Sequence, residues 1–133
     1  MNIKKLLASI LAVILIITAL PGTALAASNF TPKWASGYYP TGGNTPLKYY
    51  SCYLGGNSNS ITADMSYGDS SKTLRVDMTA HFYAFNTLIP MHNYNTGFGT
   101  AIVNFTLIND YYFTSAMSYY RIRTNLIANL MIP

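Results

Sequence analysis

The sequence predicts an all-β protein built as a single antiparallel β-sandwich. The main observation is alternation, because apolar residues occupy every second position from Ile61 to Tyr67 and again from Leu74 to Phe85. A period of two is typical of half-buried strands. The chain also has 12 tyrosines, and tyrosine is a strong strand former. Since each sheet then has one apolar face, a second sheet must cover it. A small closed barrel is the alternative.

The first 26 residues have the layout of a secretory signal peptide. Met1 to Lys5 is short and positive, and Leu6 to Leu20 is an uncharged apolar helix-like run that ends at a Pro-Gly pair. This run is shorter than the roughly 20 residues of a membrane span. Ala24 and Ala26 place small residues where a signal peptidase cleaves, so we expect cleavage before Ala27, export, and no stable membrane span afterwards. An uncleaved anchor is the alternative.

The exported chain is expected to be one domain of low charge. Its net charge without the first 26 residues is +2, which is too low for the phosphate neutralisation that nucleic-acid binding requires. Residues 27–46 are rich in Gly, Pro, Ser and Thr and are predicted to be an irregular N-terminal arm, and residues 47–133 to be the sandwich. Cys52 is the only cysteine. We expect it to be a buried thiol, with an intermolecular disulfide or a reactive thiol as the exposed alternative.

Five strands are clear in the sandwich region, and two further segments bring the total to seven, a number that suits an immunoglobulin-like or similar sandwich. The five are Leu47–Leu54, Ile61–Tyr67, Leu74–Phe85, Thr100–Ile108 and Tyr111–Arg123. We expect the second and third to form a hairpin through the loop Gly68 to Ser71. The expected register places Asp64 opposite Arg75, because loop length and opposite charges both favour it.

The remaining segments are predicted to be connections or short elements. Asn86 to Gly99 contains Pro90 and two glycines, and it is predicted to be a long connection that crosses between sheets. Asn109 and Asp110 are expected to turn the chain. Leu126 to Met131 is apolar but short, and its spacing suits either a last strand or one helical turn.

Residues suited to catalysis or metal binding are few. His81 and His92 are the only histidines, and neither His-x-x-x-His nor paired-cysteine spacing is present. The four carboxylates are all aspartates. Asp64 beside Arg75 would have a lowered pKa, whereas a general acid needs a raised one. We therefore expect no enzyme, no metal and no cofactor.

Adjacent tyrosines and two late arginines are the strongest candidates for binding. Neighbours on a strand point to opposite faces, so one tyrosine of each pair should face outward, where it can stack on sugars or anchor an interface or only shield the sheet. Arg121 and Arg123 share a face and can meet phosphate or carboxylate groups of an envelope polymer, or only keep a sheet edge soluble. The candidate ligand-binding residues are Tyr49, Tyr53, Tyr111, Tyr119, Arg121 and Arg123.

Two motifs carry a resemblance to known secreted proteins. Tyr50-Ser51-Cys52-Tyr53 in the first clear strand and Tyr119 to Arg123 in the last resemble small secreted β-proteins of Gram-positive bacteria, most of which have no assigned activity. Trp34 with Gly37-Tyr38, followed by the Tyr-Ser-x-Tyr motif, and Ala116 to Tyr120 are similar to the lactococcin 972 bacteriocins. The second resemblance implies a secreted β-sandwich that acts on cell-wall synthesis.

The chain departs from those bacteriocins in two respects. It is longer, and Leu54 to Asn57 replaces the histidines that follow their Ser-x-Tyr motif, so no functional residue is carried over. We expect a secreted or cell-surface protein that binds glycans or cell-wall polymers of a bacterial envelope without catalysis. A bacteriocin-like effector and a self-assembling surface protein are the alternatives.

Overall fold

A computed structural model describes residues 29–43, 46–108 and 110–133. The predicted signal peptide, with its helix and cleavage site, and Asn109 of the predicted turn lie outside the described residues. Within those ranges the chain forms eight β-strands: β1 Asn29–Pro40, β2 Leu47–Asn57, β3 Ser60–Tyr67, β4 Thr73–Ala84, β5 Thr87–Phe98, β6 Thr100–Thr106, β7 Tyr112–Ile122 and β8 Asn125–Ile132. None of the described residues belongs to a helix long and apolar enough to cross a membrane.

The strands form two four-stranded sheets that pack face to face. Sheet A has the order β1-β2-β3-β6 and sheet B the order β5-β4-β7-β8, and all neighbours are antiparallel. This arrangement confirms the predicted antiparallel β-sandwich. With β1 set apart, β2, β3 and β6 take the places of strands A, B and E of an immunoglobulin-type sandwich. Strands β5, β4, β7 and β8 correspondingly take those of C′, C, F and G.

The core lies between the inner faces of the two sheets. The alternation that predicts strands in the sequence is the alternation of burial, since every second residue of β3 and β4 is shielded from solvent. Burying one large apolar side chain stabilises the fold by about 1.5–3 kcal/mol. The largest fully buried side chains include Leu54, Ile61, Met65, Leu74, Met78, Phe113, Tyr120 and Ile122. The other half of each strand is left to form the outer faces.

The predicted hairpin between the second and third strands is wrong. Strands β3 and β4 belong to different sheets, and Asp64 lies opposite Tyr53 and Ile102 instead of Arg75. The crossing places the apolar faces of the two strands against each other across the core, whereas a hairpin would place both in the same sheet. Asp69 holds the crossing loop, because its carboxylate accepts hydrogen bonds from the main-chain N–H (2.9 Å) and hydroxyl (2.6 Å) of Ser71.

Two segments predicted to be irregular are edge strands. Most of the predicted N-terminal arm is β1, which pairs with β2. The predicted crossing connection is β5, which pairs with β4 through the turn residues Phe85 and Asn86. Most positions of both strands are exposed and none is fully buried, so they lack the strongly apolar face that identifies a strand in a sequence. The ambiguous segment from Leu126 to Met131 lies within strand β8.

Cys52 is fully buried on the inner face of β2. Removal from solvent, with a smaller contribution from the negative charge of Asp64, raises the pKa of its thiol to about 12. The expectation of a buried thiol is confirmed, and the exposed, reactive alternative is wrong.

Candidate functional site

The outer face of sheet A carries two cross-strand pairs of aromatic rings. Trp34 on β1 lies opposite Tyr53 on β2, with ring centroids 4.5 Å apart, and Tyr38 lies opposite Tyr49, with centroids 5.6 Å apart. Trp34 and Tyr38 are four positions apart on β1, so the two pairs are about 13 Å apart along the strands. We call these four side chains, Trp34, Tyr38, Tyr49 and Tyr53, the aromatic face.

The aromatic face is open to solvent. Trp34 and Tyr38 are each 67% exposed and Tyr49 is 50% exposed, while Tyr53 is half-buried. Single exposed apolar residues are ordinary on protein surfaces, but several on one rigid sheet face form a patch of the kind that marks a binding site.

Glycine at position 55 determines where the ring of Tyr53 lies. Gly55 is on the same outer face of β2, and a Cβ atom there would lie only 2.3 Å from the Tyr53 hydroxyl oxygen and 3.1 Å from Pro32 Cβ. The missing side chain therefore lets the ring of Tyr53 cover the backbone, as aromatic residues do over glycines in sheets. Pro32 and Trp34 then hold the ring from the side of β1.

Polar groups lie between and beside the aromatic pairs. Ser36, Ser51 and Ser66 face one another across β1, β2 and β3, and the hydroxyl oxygens of Ser51 and Ser66 are 2.8 Å apart. Asp64 lies opposite Tyr53, and partial burial raises the pKa of its carboxyl group. The expectation of a lowered pKa is wrong, because Arg75 belongs to the other sheet.

A second feature is a depression of about 500 Å³ on the outer face of sheet B. The sequence contains three arginines, and all three line this depression. Arg75 comes from β4, Arg121 from β7 and Arg123 from the turn that follows β7. We call the depression the arginine pocket; its walls also include Asp77, His92 and Tyr119.

Asp77 is the central anion of the arginine pocket. Its buried carboxylate lies 2.7 Å from Nη2 of Arg75 and 2.6 Å from Nη1 of Arg121. The two arginines meet there because the register of β4 and β7 places them opposite each other. Hydrogen bonds from Arg75 hold the pKa of Asp77 below its ordinary value. The guanidinium carbon of Arg75 also lies 4.0 Å from the ring centroid of Tyr94.

The six residues predicted from the sequence do not form one site. Tyr119, Arg121 and Arg123 come together in the arginine pocket. Tyr49 and Tyr53 belong to the aromatic face on the other sheet. Tyr111 lies at the far end of β4, where its ring centroid is 5.7 Å from that of Phe85 and 6.1 Å from that of Phe82.

Several residues of these surfaces were not among the predicted site residues, and four of them carry the main contacts. Trp34 and Tyr38 have the same-face spacing of a strand, but the glycine and prolines around them favour an irregular segment. Arg75 and Asp77 are two residues apart on the polar face of β4, and only the pairing with β7 shows that they meet Arg121.

Among the residues that the structure describes, no three His, Cys, Asp or Glu side chains are grouped so as to hold a metal ion. Comparisons with protein-family models, with curated proteins and with solved structures give no match for this chain. The functional argument therefore depends on the two outer surfaces themselves.

Proposed function

We propose that this protein is a secreted, non-enzymatic binding module that holds a glycan chain of a cell envelope on its aromatic face. The observation that carries the proposal is the pair of exposed cross-strand aromatic contacts with a row of serines between them. Sugar rings combine apolar C–H surfaces with hydroxyl groups. Aromatic rings with polar edges suit the first, and serine hydroxyls suit the second by hydrogen bonding.

The spacing of the aromatic pairs favours a polymer over a single sugar. A separation of about 13 Å between pairs is too long for one sugar ring to contact both. A chain that spans the face gains the second contact as an intramolecular event, which strengthens binding without a new type of interaction. Affinity is therefore expected to rise steeply with oligosaccharide length.

The charge of the aromatic face favours a neutral stretch of glycan. Asp64 lies beside Tyr53 on this face, and its carboxylate would repel an acidic sugar placed over that ring. Its partial burial already disfavours the charged form, so a second negative charge nearby would be unfavourable. Neutral hydroxyl groups can instead donate hydrogen bonds to it.

The test is retention of the purified protein on insoluble cell-wall polysaccharide. Trp34→Ala and Tyr38→Ala each remove a ring that is 67% exposed, so the fold should be unaffected. Phe98→Ala is the matched control, because Phe98 is also 67% exposed but lies on β5 of sheet B. We expect both face variants to lose retention and the control to keep it; retention by the double variant would contradict the proposal.

Export is part of the proposal, and the signal-peptide pattern of residues 1–26 supports it. Expression of the full chain in a secreting host, followed by mass determination of the protein in the medium, tests this part. The expected result is the mass of a protein whose first residue is Ala27.

A further inference from the structure

We propose that the arginine pocket is a binding site for a phosphate ester, separate from the aromatic face and on the opposite sheet. This goes beyond the proposed glycan binding, because the two surfaces share no residue. The site takes the phosphate group of a small or polymeric ester, such as a phosphorylated sugar or polyol.

The first argument is the choice and convergence of basic residues. The chain has three arginines, and each lines this one depression. Guanidinium groups present planar forks of N–H donors that match the oxygens of phosphate, whereas lysine offers a point charge. Convergence of every arginine from two separate segments of the chain is typical of oxyanion recognition.

The second argument is the way Asp77 prepares the site. Its carboxylate accepts hydrogen bonds from Nε and Nη2 of Arg75 and from Nη1 of Arg121. Each guanidinium has five N–H donors, so both arginines keep donors that Asp77 does not use. The two side chains are therefore held in place before a ligand arrives, which reduces the entropy lost on binding.

The third argument is the backbone at Arg123. Its φ angle is 57°, in the left-handed region that favours glycine or asparagine. The main-chain N–H of Arg123 donates to the carbonyl of Thr73 at 2.7 Å, which fixes the turn against the start of β4. The turn therefore holds the Arg123 side chain at the rim of the basic pocket in a backbone conformation that is unfavourable for an arginine.

Charge and size identify the ligand as a phosphate ester. Three guanidinium groups against one carboxylate leave the pocket with a net charge of +2, which matches a phosphate monoester of about −1.5 to −2 better than a singly charged carboxylate. The volume of about 500 Å³ holds more than a bare ion, and the ring of Tyr119 lines the space beside the arginines.

The experiment is calorimetric titration of the full chain with glycerol phosphate, and with acetate as the carboxylate comparison. We expect glycerol phosphate to bind more tightly than acetate. Its affinity should fall as the salt concentration is raised. Arg123→Gln removes a charge that is not paired with Asp77 and should weaken binding about tenfold or more. Lys33→Gln, the same charge change on sheet A, is the matched control and should bind as the wild type does.

A second variant separates a shaped site from diffuse positive charge. Arg121→Lys keeps the charge but loses the planar fork, so weaker binding is expected. Unchanged affinity in both Arg123→Gln and Arg121→Lys would overturn the proposal. Binding to vesicles that contain phosphatidylglycerol without any response to glycerol phosphate would also overturn it, in favour of general attraction to an anionic membrane.

The two proposals can fail independently. Trp34→Ala should leave the titration with glycerol phosphate unchanged, and Arg123→Gln should leave retention on a phosphate-free polysaccharide unchanged. If Trp34→Ala abolished phosphate binding, the assignment of the phosphate to the arginine pocket would be wrong.

Discussion

The hydroxyl group of Tyr120 crosses the core and donates a hydrogen bond to the main-chain carbonyl of Tyr53. Tyr120 is on β7 of sheet B and fully buried, and Tyr53 is on β2 of sheet A. The hydroxyl of Ser118 donates to the same Tyr120 oxygen at 2.8 Å, and burial raises the pKa of Tyr120 well above its ordinary value. The strand that carries the aromatic face is thus anchored to the opposite sheet from inside.

Removing this hydroxyl should destabilise the fold. Tyr120→Phe leaves the buried Ser118 hydroxyl and the Tyr53 carbonyl without their partner, which costs about 1–3 kcal/mol in free energy of unfolding. Urea unfolding of wild type and variant measures the difference. Tyr119→Phe is the control, because Tyr119 is only partly buried and its hydroxyl donates to the weak acceptor Met117 Sδ at 3.4 Å. A loss in the control as large as that in Tyr120→Phe would contradict the interpretation.

The fold class and the central strands could be predicted because their signal is burial. In β3 and along most of β4 the buried side chains alternate with half-buried ones, so the sequence displays the period of a strand. The pairing of the strands could not be predicted in the same way. The hairpin register that joins Asp64 to Arg75 satisfies the local rules, but the division of strands between the two sheets is a property of the whole chain, and it places β3 and β4 in different sheets.

The candidate sites show the same division. Outward Tyr49 and Arg121 follow from alternation within one strand, so the sequence identifies them. The contacts of Trp34 with Tyr53 and of Asp77 with Arg121 depend on strand pairing between distant segments. Edge strand β1 has no fully buried residues, so its period of two is weak in the sequence. Only Tyr49 and Tyr53 of the aromatic face could therefore be predicted.

Asp77 should make stability depend on acid pH. The pKa of Asp77 is lowered in the folded state, chiefly by hydrogen bonds from Arg75, with further contributions from the charges of Arg75, Arg121 and His92. A lowered folded-state pKa means that this stabilisation is present above the unfolded pKa of about 3.9 and is lost as the pH falls through the folded value. Asp77→Asn should be less stable at pH 7 by about 1–2 kcal/mol, between the values for exposed and buried ion pairs.

Urea midpoints of wild type and Asp77→Asn between pH 2 and pH 7 measure this dependence. The difference between them should narrow as the pH falls below about 4. A constant difference across the whole range would show that the carboxylate charge contributes nothing.

The charge of Asp64 should affect stability in the direction opposite to that of Asp77. Partial burial raises the pKa of Asp64 in the folded state, so its ionisation opposes folding at pH values above the folded pKa. Asp64→Asn removes the charge and should be more stable than wild type at pH 7, with the advantage shrinking as the pH approaches 4 and the wild-type carboxyl group becomes protonated. The same urea series measures it, and an Asp64→Asn variant that is less stable at pH 7 would contradict the argument.

Cys52 should react with thiol reagents only when the protein unfolds. The side chain is fully buried, and its pKa of about 12 leaves almost no thiolate at pH 8, where an ordinary cysteine is partly ionised. Labelling of native protein with iodoacetamide at pH 8 should therefore be far slower than labelling in urea. Tyr120→Phe should accelerate native labelling by the factor that corresponds to its lost stability. Rapid labelling of the folded wild type would show that the thiol is accessible.

Replacing Arg123 with asparagine should raise the stability of the fold and lower its affinity for phosphate. Its φ angle of 57° is unfavourable for an arginine, and Arg123→Asn relieves this strain, with an expected gain in stability of up to about 1 kcal/mol. The same change removes one of the three guanidinium groups of the arginine pocket, so phosphate affinity should fall. Thermal unfolding and titration with glycerol phosphate measure the two effects on one sample.

Phe85→Asn is the matched control for Arg123→Asn. Its φ angle is 50°, its side chain is 87% exposed, and it lies at the far end of β4 from the arginine pocket. Phe85→Asn relieves the same kind of strain, partly offset by the lost ring contact with Tyr111 at 5.7 Å, and should leave phosphate affinity unchanged. If the two variants shifted affinity equally, the effect at Arg123 would come from the backbone and not from the missing guanidinium group.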